Sequence, residues 1–129
     1  MDMDWNVTFA ISDYQLNFEE INKNIKLNPT KLIIKGQKIT TKKIAPYDIW
    51  LYDIKKSKDT NIADTIYTLL EHITPYIDYI KKFSTQYREV VINCYIRSDM
   101  GQLGFEIPHE VIEKLNSIGI DIGFHILSC

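Results

Sequence analysis

At 129 residues, with 45% apolar and 25% charged side chains, the chain has the size and balance of one domain spanning residues 1–129, able to bury a core without a disulfide or metal staple. Its formal net charge of −2 argues against a dedicated nucleic-acid binder, which carries a strong basic excess or a concentrated basic patch. No apolar run approaches the roughly 20 residues of a membrane-spanning helix, and the acidic start Met1-Asp2-Met3-Asp4 lacks the basic and apolar regions of a secretory signal.

Trp5–Ser12 opens the chain with a period of two, Trp5, Val7, Phe9 and Ile11 against Asn6, Thr8, Ala10 and Ser12, the mark of a strand with one buried face. Asn17 then fits a helix N-cap, with Glu20 placed to reach back to the cap amide and Leu16 and Ile21 at the staple positions. Ile21 and Ile25 continue the stripe, and Asn28-Pro29 is expected to end the helix. Lys31–Lys35 reads as a short strand, Gly36 as a turn, and lysine-rich Gln37–Lys43 as an exposed hairpin arm or loop. Asp48–Ile54 is the next strand. Both of its rows, Trp50/Tyr52/Ile54 and Ile49/Leu51, are apolar, so the alternation leaves the buried face open.

After the charged loop Lys55–Thr60, Thr60 or Asn61 caps a helix carrying Ile62, Ile66, Leu69, Leu70 and Ile73. Pro75 predicts a kink or a new turn, continued by Tyr76, Ile80 and Phe83, and Ser84–Tyr87 leads onward. Arg88–Arg97 is the clearest strand: Val90, Ile92, Cys94 and Ile96 form the row expected under helices, while Val91, Asn93, Tyr95 and Arg97 face away. Loop Ser98–Gly104 follows. Pro108 suits a first helical turn, Val111, Ile112, Leu115 and Ile118 form the stripe, and Gly119 is the stop. Ile120, Ile122, Phe124 and Ile126 alternate with Asp121, Gly123, His125 and Leu127 in a last strand. The order β-α-β-β-α-β-α-β predicts an α+β fold: a ferredoxin-like β-α-β-β-α-β core with an appended α-β unit, a mainly antiparallel sheet, and helices on one face.

Taken together, the opening Val7-Thr-Phe-Ala-Ile11, Leu16-Asn-Phe-Glu-Glu-Ile21, Leu27-Asn-Pro-Thr30, Lys35-Gly36, the lone Trp50, and the pairing of Ile107–Leu115 with Ile118-Gly-Ile-Asp-Ile122 resemble a family of small bacterial proteins grouped as a domain of unknown function, number 4279. The resemblance covers essentially the whole chain and implies a fold, with no activity or catalytic set to carry over. The lysine stretch between Gly36 and Trp50 departs from it. Small domains of this type are also similar to immunity proteins of bacterial toxin systems in size and composition, an analogy of scale rather than of site.

Chemistry-bearing residues are sparse. His72, His109 and His125 show no i+3 or i+4 pairing and the two cysteines no C-x-x-C, so no metal or cofactor is expected. A set such as His72, His125 and Asp121 requires the fold to assemble it. Cys94 in a core row is inert and Cys129 has no base beside it, so neither catalysis nor a disulfide is expected; free thiols suit the cytoplasm. Ser12 and Ser98 lack a local activating partner. Glu19 and Glu20 are accounted for by capping, and Asp59 and Asp64 by a loop and a first helical turn. Gly101-Gln-Leu-Gly104 lacks the Gly-Lys-Ser/Thr ending of a phosphate loop.

Two surfaces remain. Lys31, Lys35, Lys38, Lys42 and Lys43, with Tyr95 and Arg97 on an open sheet face, would suit stacked bases, but Glu89 and Asp121 share that face and no RNA-binding signature accompanies them. The mixed set Asn93, Tyr95, Arg97, Asp121 and His125, with Tyr52 and an extension through Tyr47 and Trp50, has the makeup of a protein interface. Outward tyrosines are common in strands for structural reasons alone. The leading expectation is therefore a non-enzymatic protein-interaction module, with an immunity protein against a toxin as its specific form. The alternative is a small-ligand or enzymatic domain using the same open face. Arg88 and Arg97 are the only arginines, and heavy use of Ile, Lys and Asn points to an AT-rich bacterial genome.

Overall fold

Strands form where one row of side chains finds a core, and β1 (Met3–Asp13) has the most apolar row of all, with Val7, Phe9 and Ile11 fully buried. The computed structural model describes residues 3–55, 61–98 and 104–128. The loop readings over 56–60, most of the Gly101–Gly104 reading and Cys129 lie outside them. After β1 come α1 (Phe18–Asn24), β2 (Lys31–Ile33), β3 (Asp48–Lys55), α2 (Ile62–Ile73), a 3-10 turn (Thr74–Tyr76), α3 (Ile77–Gln86), β4 (Glu89–Ser98), α4 (His109–Ile118) and β5 (Asp121–Ser128). The five strands make one sheet in the order β2-β3-β1-β4-β5. β1 pairs antiparallel with both β3 and β4, β2 pairs antiparallel with β3, and β5 runs parallel to β4. The fold is mixed α+β on a mostly antiparallel sheet. Its centre is β1, and the clearest strand in the sequence, the 88–97 stretch, lies beside it.

The registers Ile11↔Trp50, Phe9↔Tyr52 and Val7↔Ile54 settle the ambiguity of β3. That row joins the row of Trp5, Phe9 and Ile11, so Trp50 is fully buried in the core. Trp50 meets Phe9 edge-on at 6.0 Å and 78°, a favoured aromatic arrangement, and its indole N–H donates to Asn22 Oδ1 at 2.8 Å. The expectation that Trp50 extends an exposed surface is thereby corrected. Val90, Ile92, Cys94 and Ile96 complete the same core from β4, facing Ile62, Ile66, Leu69, Leu70 and Ile73 of α2 and Ile80 and Phe83 of α3.

Caps explain where helices begin. Asn17 Oδ1 accepts from Glu20 N at 3.1 Å and Asn61 Oδ1 from Asp64 N at 2.8 Å, each meeting a backbone donor that the first turn leaves without a helical partner. The reciprocal half of the first cap is absent: Asn17 N donates to the Tyr87 hydroxyl at 3.3 Å, and Glu20 Oε1 stands 3.7 Å from Lys82 Nζ. α1 ends at Asn24, four residues short of Asn28, because Ile25 takes an extended backbone. Pro75 sits in the 3-10 turn between α2 and α3. Gly119, at φ 78°, caps α4 in the left-handed region that glycine enters without strain. The lysine stretch is a hairpin arm, closed by Gly36 N to Ala45 O and Ala45 N to Gln37 O, both 2.8 Å.

The apolar stripe of the last unit is incomplete. Val111 and Ile118 are buried, but Ile112 is exposed, as are Phe124 and Ile126 at the far end of β5. Helical spacing put Ile112, and alternation put Phe124 and Ile126, in apolar rows. At the edge of the sheet Phe124 keeps a ring neighbour, Phe105 at 5.7 Å, while Ile126 stays exposed.

Candidate functional site

The face of the sheet away from the helices carries Asn6, Thr8 and Ala10 from β1, Val91, Asn93, Tyr95 and Arg97 from β4, and Asp121, Gly123, His125 and Leu127 from β5. Its centre is tight. Thr8, Ala10 and Val91 are buried among their neighbours, and Thr8 Oγ1 donates to Asp53 Oδ1 at 2.6 Å. Toward the C-terminal ends of β4 and β5 the surface opens. There the parallel register sets Tyr95 beside His125 and Asn93 beside Gly123.

These four residues interlock. The Tyr95 and His125 rings stack with centroids 4.8 Å apart and planes 19° apart. His125 Nε2 lies 3.0 Å from Asn93 Oδ1. An amide oxygen only accepts, so the contact calls for the proton on Nε2. Gly123 makes this possible: a Cβ there would stand 3.0 Å from Asn93 Oδ1 and 3.6 Å from His125 Nε2. Burial pushes the Tyr95 phenol above its ordinary range, and the charges of Asp53 and Glu89 push the same way, so it is held as a neutral hydroxyl.

Beside the stack is a cleft of about 580 Å³ lined by Asp4, Asn6, Tyr95, Arg97, His125 and Leu127. Arg97 is exposed and makes no salt bridge among the described residues. Asn6 Oδ1 is shielded from solvent and has no hydrogen-bond partner among them. The cleft therefore holds an exposed guanidinium that forms no ion pair among the described residues, across the β1–β4 register from Asp4, and a buried acceptor without a donor.

The family model for a domain of unknown function, DUF4279, matches residues 3–128. The chain belongs to this family. No curated protein and no solved structure matches it.

In this DUF4279 chain, five of the six residues singled out in the sequence share the open face, but only Asn93, Tyr95, Arg97 and His125 gather at the cleft. Asp121, paired with Val91, lies four residues before His125, about 13 Å along the strand. Tyr52 is on the other face, and its assignment to the open surface is corrected. Its hydroxyl is 2.8 Å from His72 Nδ1, and burial raises its pKa, with Tyr76 adding to the effect. Among the described residues no three His, Cys, Asp or Glu side chains form a metal-holding group, and no helix is long and apolar enough to cross a membrane.

Tyr47, expected to extend the Tyr95 surface, lies instead in a second cluster at the opposite end of the sheet, and that cluster as a whole escaped sequence reasoning. Tyr14 and Tyr47 meet at 5.1 Å, and Arg88 covers the Tyr47 ring at 3.9 Å while its Nη1 lies 3.5 Å from Ser12 Oγ. Its members are far apart in the chain, and only the β1–β3–β4 registers bring them together.

Proposed function

We propose that this chain is a non-enzymatic protein-interaction module whose contact surface is the open sheet face around the Tyr95–His125 stack. The observation that carries this reading is the stack itself, locked by Asn93, made room for by Gly123, and standing beside Arg97. Tyrosine and arginine dominate binding energy at interfaces, and anchors already held in place lose little side-chain freedom on docking. A partner segment presenting a carboxylate to Arg97 supplies the ion pair that the guanidinium lacks among the described residues. Asp4, Asp53, Glu89 and Asp121 on the same face disfavour a nucleic-acid backbone.

The specific form of this reading is an immunity protein in the bacterial cytoplasm that acts by covering a toxin's active site; its support is the size and composition shared with such proteins. A small-ligand site in the same cleft is the second reading, favoured by a volume of about 580 Å³, within the range of small-molecule pockets. The strand order β2-β3-β1-β4, antiparallel throughout, supports a ferredoxin-like description of the first six elements, with α4 and β5 as the appended unit.

The test uses the tagged protein as bait in lysate of its own organism, beside the double variant Tyr95→Ala/Arg97→Ala. One stoichiometric, salt-resistant protein on the wild type, absent from a double variant with an unchanged circular-dichroism spectrum, is expected. Equal capture by both proteins overturns the choice of face. Recovery of nucleic acid that washes off with salt overturns the protein reading and points to the lysine arm.

A further inference from the structure

The sheet has two edges, and only one of them is protected. Edge strands carry unpaired backbone groups and are normally blunted by short length, lysine or proline. β2 has all three: it spans three residues, includes Lys31, and follows Pro29, with the lysine arm next in the chain. β5 has none of them. It runs for eight residues, DIGFHILS, with Asp121 as its sole acidic or basic residue apart from His125. Among the described residues it pairs along β4 alone. Its far half is open on both faces: Phe124 is 39% exposed, and Ile126 and Leu127 are each 55% exposed.

We infer that the outer edge of β5 pairs with β5 of a second copy of this chain, antiparallel, about a two-fold axis perpendicular to the sheet and centred on Phe124. The occupant follows from the strand's complementarity to itself. In this register Ile122 faces the partner's Ile126, Phe124 faces its own counterpart, and Ile126 faces the partner's Ile122, so apolar side chains are matched along the whole row, from half-buried Ile122 to exposed Ile126. On the open face Gly123 faces the partner's His125, and each imidazole is drawn toward the Tyr95 of its own chain. Asp121 faces the partner's Leu127, so no like charges oppose each other.

Neighbouring registers fit less well. Centring on Gly123 sets Leu127 against Gly119, whose left-handed backbone lies outside the strand. Centring on His125 sets the two imidazoles directly opposite and shifts Asp121 against position 129, past the end of β5 at Ser128. An axis between two residues would put the helices of the two copies on opposite sides of the sheet, opposing the apolar row to the polar one. The Phe124 register keeps all helices on one side and makes one ten-stranded sheet. Two Tyr95–His125 stacks then share a seam, with the two His125 positions in the diagonal relation of about 7–8 Å. Any ligand of the open face would meet a two-fold platform. The pairing does not depend on what that face binds.

Sedimentation under reducing conditions, at about 100 µM protein where a modest edge-to-edge contact is populated, compares the wild type with Ile126→Lys. A wild-type dimer and a monomeric variant with the same circular-dichroism spectrum are expected. A monomeric wild type overturns the inference, as does an Ile126→Lys dimer of wild-type strength. If the variant fails to fold, amide exchange of dilute and concentrated wild type decides. Concentration-dependent protection confined to residues 121–127 supports the pairing, and protection elsewhere or nowhere refutes it.

Discussion

Cys94 sits between Ile92 and Ile96 in the helix-facing row of β4, fully buried, and burial pushes its thiol from an ordinary 9.0 up to about 12. The folded state therefore holds the proton over a range in which the unfolded chain releases it. The stabilisation is complete below about pH 9 and is lost as pH rises toward 12, at up to about 1.4 kcal/mol per pH unit. In a Cys129→Ser background, a thiol reagent at pH 8 is expected to leave the native protein unlabelled and to label one thiol once urea unfolds it, with stability falling above pH 9. Stoichiometric labelling of the native state would contradict the burial argument. The inert thiol was legible in the sequence because a period of two assigns Cys94 to the row of Ile92 and Ile96. The same counting placed Asn93, Tyr95, Arg97, Asp121 and His125 on one face. It could not tell which of them touch, because the register between β4 and β5 is set by how α4 packs, and it misplaced Tyr52 because both rows of β3 are apolar.

Elements are joined here by a few side chains that serve several segments at once. Asp48, at the start of β3, is buried; its Oδ2 accepts from Leu16 N at 3.0 Å, and its Oδ1 accepts from Lys35 N at 2.7 Å. It ties the approach to α1 and the exit of β2 to the centre of the sheet. Asp48→Ala strands two amide donors and is expected to cost about 2–3 kcal/mol, read as a lower urea midpoint at unchanged slope. A loss within the roughly 0.5 kcal/mol typical of an ordinary surface site would show that water replaces the carboxyl group. No local pattern announces this role, since the contacts span 13 and 32 positions in the chain. The caps at Asn17 and Asn61 were legible because a cap is a local event within one turn. The exposure of Ile112, Phe124 and Ile126 was not, because periodicity records which residues share a row and is silent on whether another layer covers it.

At the scale of the molecule, the helices cover one side of the sheet and leave the other to solvent, with its small centre sealed by Thr8, Ala10 and Val91. The two sides differ in make-up: the core side holds the fold, and the open side concentrates its pre-formed features at the β4–β5 end. A second cluster, Tyr14, Tyr47 and Arg88, occupies the other end of the sheet and serves as an internal control for any surface claim. The decisive measurement is a map of backbone amide shifts in the isotope-labelled protein as the captured partner is added. The account predicts that the largest changes fall on Asn6, Asn93, Tyr95, Arg97, Gly123 and His125, with the Tyr14–Tyr47 end unmoved. Changes centred on Tyr14, Tyr47 and Arg88 or on the lysine arm, with the Tyr95–His125 stack silent, would contradict it.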